Sequence, residues 1–147
     1  MLTKMLLAMA TALFTGITLR TPRSAWLAVG LTGMLGWAAN QFLSQSGIPE
    51  LVAAVTSAVL VGTLAEVFAR IQKQPVTVYI VSGIIPLVPG TIAYNSMLAF
   101  LEKHFSLGLI LAFKAFLIAS YLAAGLAIVP ILVRSCKIIV SRPGRSN

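Results

Sequence analysis

Pro86, Pro89 and Gly90 fall within five residues inside an apolar run, and Thr91, Tyr94 and Asn95 follow them. Each proline removes a backbone donor and clashes with the preceding turn. Glycine reaches backbone conformations that other residues avoid. The stretch Val81–Asn95 therefore predicts a helix broken in its middle. Backbone groups freed by a break are costly in lipid unless they face protein or water. In transporters, breaks of this kind set half-helix ends against a substrate. Pro86, Pro89, Gly90, Thr91, Tyr94 and Asn95 are thus candidate substrate-binding residues. A proline kink made only for packing is the competing explanation.

Two ionisable residues lie inside apolar runs, Glu66 and Lys114. Intramembrane charges are rare and mark functional sites by default. Lys114 is expected about 12 Å from the outer end of its helix and Gly90 about 17 Å from the outer end of its own, at 1.5 Å per residue. The half-helix that restarts after the break has a partly positive N-terminus. Lys114 and that N-terminus are expected at one level, where both would favour a carboxylate. Glu66 precedes Arg70 by four residues, which predicts an ion pair along one helix face. A proton-coupling carboxylate is the alternative role for Glu66. A direct Glu66–Lys114 pair is not expected, because their depths differ by roughly 10 Å in a core of about 30 Å.

These residues need a bilayer to position them. Of 147 residues, 59% are hydrophobic and 10% charged, against about 45–50% and 25% in soluble domains. A soluble domain of this size has too little interior to hide so much apolar surface. Five apolar runs are long enough to span, at about 2–19, 24–43, 49–69, 76–101 and 106–133. The expected fold is an all-α integral membrane protein with five transmembrane helices, the fourth broken at Pro-x-x-Pro-Gly. Residues 1–134 would form the membrane domain and 135–147 a basic cytoplasmic tail.

The net charge of +8 would suggest nucleic acid in a soluble protein. Here the basic residues mostly sit in the gaps between runs, so topology explains them better. Arg20, Arg23, Arg70, Lys73, Arg134, Lys137, Arg142 and Arg145 fall on one side; Lys103 and Lys4 fall on the other. The positive-inside rule then predicts an outside N-terminus and a cytoplasmic C-terminus. The N-terminal run has no clean small-x-small site, so cleavage as a signal peptide is not expected.

Other polar residues read more plainly. Asn40 and Gln41 read as interface anchors, Trp26 as an interfacial anchor, Trp37 as packing, His104 as a solvated loop residue and Pro130 as a kink. Gly30, Gly33 and Gly36 make a flat face that suits helix packing within the chain, or else against a second subunit. Cys136 cannot form an intrachain disulfide and reads as a reduced thiol. No metal-ligand spacing, catalytic triad or phosphate loop is present, so neither an enzyme nor a cofactor or metal site is expected.

The stretch Ile84-Ile85-Pro86-Leu87-Val88-Pro89-Gly90 with Tyr94 resembles the signature of the threonine/serine exporter family, best in its C-terminal half. Val61-Gly62-Thr63 ahead of Arg70 and Pro75 is also similar. The resemblance implies a secondary exporter in the bacterial inner membrane, for threonine and serine or for dicarboxylates such as succinate. In some members that half is a separate small protein paired with a larger subunit, so a larger partner of the same family is implied here. Two five-span halves joined in line would have opposite orientations, which suits an inverted repeat around a central site. Lys114 and Glu66 have no warrant from the resemblance. A non-transporting membrane scaffold is the alternative, and a homo-oligomeric channel comes third.

Overall fold

The computed structural model describes residues 2–140, and all regular structure in it is helical. The helices are α1 (Leu2–Thr18), α2 (Trp26–Gln45), α3 (Glu50–Gln72), α4 (Val76–Ile84), α5 (Gly90–Leu101) and α6 (Phe105–Val140), with short 3-10 turns at Arg23–Ala25 and Ile85–Leu87. The α6 backbone runs unbroken through Pro130 and into the basic segment. Arg134, Cys136, Lys137, Arg142 and Arg145 carry expectations about the tail, and these lie outside the described side chains.

Local chemistry sets the helix ends. Lys73 takes a left-handed conformation (φ 53°) after α3, and the Gln74 amide donates to the Ala69 carbonyl at 3.1 Å. That closes the last turn with a non-glycine residue in the position glycine usually fills. Pro75 then starts α4 without losing a needed donor. Pro49 does the same for α3, and Glu50 stands in its first turn, where the helix dipole favours a carboxylate.

Small residues let the helices come close. An added Cβ at Gly33 would run into the Ala12 side chain of α1, and one at Gly36 into Val61 of α3. One at Gly30 would stand 3.0 Å from Leu13 and Met9. The glycine face of α2 is therefore consumed inside this chain. Along the α3–α6 seam, Gly125 meets Ala58 and the Val55 carbonyl, and Gly62 meets Val129. Such close approach is how helices associate where no hydrophobic drive separates protein from lipid.

Helix α4 packs among α1, α2 and α3, with Tyr79, Ser82 and Gly83 buried. One core gathers Ala12, Ala25, Ala28, Val29, Ala65, Ala69 and Tyr79; another gathers Ala54, Ala58, Val61, Leu87, Ile118 and Leu122. Helix α5 packs chiefly on α6, and the Ser96 hydroxyl donates to the Gly108 carbonyl at 2.7 Å across that contact.

Helices α3 and α6 are long and apolar enough to cross a membrane, and the bent α4–α5 pair makes a third if the two helices form one span rather than a re-entrant loop. The expected first and second runs fall short of that standard for physical reasons. Helix α1 has 17 residues. Helix α2 is diluted by its glycines and by Asn40, Gln41 and Gln45.

Candidate functional site

The break is built as the prolines dictate. Helix α4 gives way to the Ile85–Leu87 turn, Val88 is extended (φ −61°, ψ 133°), and Pro89 follows at φ −74°, ψ 51°. The Gly90 amide donates back to the Val88 carbonyl at 2.7 Å, which closes an inverse γ-turn around Pro89. Helix α5 restarts at Gly90, and the two helices meet at 50°. Gly90 itself does not use a left-handed conformation; among the described glycines only Gly47 does (φ 79°). Gly90 has open space beside it instead, with nothing within 4 Å of an added Cβ.

Beside the break is a cleft of about 160 Å³ lined by Asn40, Glu50, Ala54, Leu87, Val88, Pro89, Thr91, Ile92, Ile118 and Leu122. Its polar groups are Asn40, Glu50 and Thr91. The Asn40 Oδ1 is buried and has no hydrogen-bond partner. Asn40 was expected as an interface anchor near the end of α2; α2 continues to Gln45, and Asn40 lies more than a turn before that end and lines the cleft.

Lys114 reaches the cleft through a partner. Its Nζ lies 2.6 Å from Glu50 Oε2, and both side chains are about half exposed (49% and 48%). The pair ties the start of α3 to the body of α6. Lys114 was expected to meet the N-terminus of the restarted half-helix. Instead its head is held by a carboxylate on the cleft wall, because a lysine stem is long enough to reach toward a helix end.

The remaining candidates separate. Tyr94 is 63% exposed, on the side of α5 opposite the buried Ser96 and Ala99, and Asn95 is exposed on the flank of the helix, one turn after Thr91 and one turn before Ala99. Neither lines the cleft. Pro86 is partly buried against α1 and α2, where it borders a second hollow with Lys4, Thr11 and Trp37. Glu66 is paired with Arg70, Oε2 to Nε at 3.6 Å. These two border a larger cavity of about 290 Å³ with Val59, Thr63, Val67, Val129 and Val133. That cavity is mostly apolar, and Glu66 lies about 24 Å along α3 from Glu50 at 1.5 Å per residue. The polar chemistry belongs to the smaller cleft. Trp26 donates from Nε1 to the Thr21 carbonyl at 3.1 Å, and Trp37 packs on the second core.

The sequence reading missed Glu50. The signal was available, because Glu50 directly follows Pro49 at the start of an apolar run. That is the same side of the bundle on which the Lys114 helix begins.

An all-helical chain with membrane-length apolar helices, one of them broken beside a polar cleft, has the character of a membrane transport protein. The family model described as Threonine/Serine exporter, ThrE, matches residues 4–132, and the chain belongs to that family. No curated protein and no solved structure matches it significantly.

Proposed function

We propose that this chain is one half of a secondary exporter of small amino acids such as threonine and serine, or of dicarboxylates such as succinate. The substrate site would be the cleft beside the Pro86–Gly90 break. The carrying observation is that polar residues following the break are left uncovered next to the cleft. Thr91, Tyr94 and Asn95, which follow the break, lie on an exposed face of α5, and α5 packs chiefly on α6. An amide facing hydrocarbon without a partner costs several kcal/mol. A face carrying Asn95 at membrane depth therefore calls for protein or water over it. A larger partner of the same family, facing α5, would cover these residues and enclose a path beside the cleft.

The remaining parts of the reading follow from that role. Five spans are proposed, with α4 and α5 forming one broken span and α1 and α2 held in the bilayer by their neighbours. The N-terminus is proposed outside the bacterial inner membrane and the C-terminus in the cytoplasm. Glu66 is read as the interfacial partner of Arg70, and no catalytic chemistry is assigned.

The test is efflux from cells loaded with labelled L-threonine or succinate. Cells would express this chain, a larger-half member of the family, or both. Efflux only with both is the expected result. Efflux from this chain alone would mean that copies of it complete the site. No efflux of either compound, with both proteins in the membrane, would overturn the exporter reading in favour of a scaffold.

A further inference from the structure

The cleft is rich in acceptors. It holds the Glu50 carboxylate and the unpartnered Asn40 Oδ1, while the Lys114 ammonium stands at its rim on Glu50. A simple dicarboxylate suits it poorly: one carboxylate could take Lys114, but the other would meet the Glu50 carboxylate. A small zwitterion fits both signs. Its ammonium, and a side-chain hydroxyl if present, would donate to Glu50 and Asn40, and its carboxylate would accept from Lys114.

The ion pair is suited to being opened. Both side chains are only half covered by the protein, so a ligand can reach the pair without unpacking a helix. Glu50 keeps a second favourable field when Lys114 leaves, because it stands in the first turn of α3.

We propose that the Glu50–Lys114 ion pair is a substrate-exchanged latch: an entering amino-acid zwitterion parts it, binding Glu50 through its ammonium and Lys114 through its carboxylate. This rests on the exporter reading and narrows it to amino acids.

The experiment measures efflux by the full chain, with its larger-half partner where efflux requires one. The probes are L-threonine, succinate and 3-hydroxybutyrate, which lacks the ammonium. Wild type should export threonine and discriminate against the other two. Glu50→Gln and Lys114→Gln should each lower threonine efflux by about tenfold or more, as expected for one charge-assisted contact. Glu50→Asp, which keeps the charge, should recover part of it. The reversed pair E50K/K114E should restore membrane level and thermal stability but not efflux, since the substrate would meet each charge on the wrong side. Threonine efflux within twofold of wild type in the reversed pair, or in Glu50→Gln, would overturn the latch and leave the exporter reading standing. So would wild-type export of succinate or 3-hydroxybutyrate as fast as threonine. Wild type exporting none of the three would overturn both.

Discussion

Asn40 carries a buried acceptor with no donor. A group in that state costs stability, roughly 1–3 kcal/mol for an unsatisfied buried polar atom. Replacing it with a similar-sized apolar residue removes that cost. Asn40→Leu is therefore expected to raise thermal stability in detergent by about 1 kcal/mol, while lowering efflux. A purely structural Asn40 would leave efflux unchanged. The residue was legible in the sequence as a polar interruption of an apolar run, but not as a cleft residue. Its depth depends on where α2 ends, and α2 runs on to Gln45 with no glycine or proline to stop it earlier. Glu50 and Lys114 were visible one at a time. Their pairing was not, because azimuth around a helix axis cannot be read from one run of residues.

At the scale of elements, two glycines of opposite character separate packing from function. Gly33 lies against Ala12, with Pro86 at 3.5 Å from an added Cβ. Gly33→Leu should push α1 off α2 and cost about 1–3 kcal/mol or more from overpacking, read as a lower melting temperature and less protein in the membrane. Gly90 has open space around it. Gly90→Leu should leave stability nearly unchanged, within about 0.5 kcal/mol as for substitutions away from packed features, and should lower efflux if the open space beside the break belongs to the substrate path. A wild-type efflux rate in Gly90→Leu would place the substrate path elsewhere. The break itself was readable from Pro86 and Pro89, since the loss of two donors is a local property. The glycine's role was not, because the left-handed conformation it permits is not the one used here.

For the whole molecule, the question is what covers α5. Thr91, Tyr94 and Asn95 are exposed on α5, while Ser96 and Ala99 are buried and Ser96 bonds to the start of α6. Asn95→Leu removes an amide that the bare chain cannot satisfy. Expressed alone, this variant should be as stable as wild type or more so, by about 1 kcal/mol. Expressed with a larger half, it should co-purify less and export less. Unchanged assembly together with unchanged efflux would mean that lipid or water, not a partner, covers this face.

The sequence by itself determined the solvent, the helical class and the position of the break. Each of these follows from composition or from residues a few positions apart: 59% apolar residues demand a bilayer, and proline cannot continue a helix. Only the tertiary structure decided that the α2 glycines are used within the chain, that Glu50 holds Lys114, that Asn40 lines the cleft, and that Tyr94 and Asn95 lie outside it. These depend on how six helices rotate and cross. That is set by the summed packing of many small residues, which no single stretch of the chain contains.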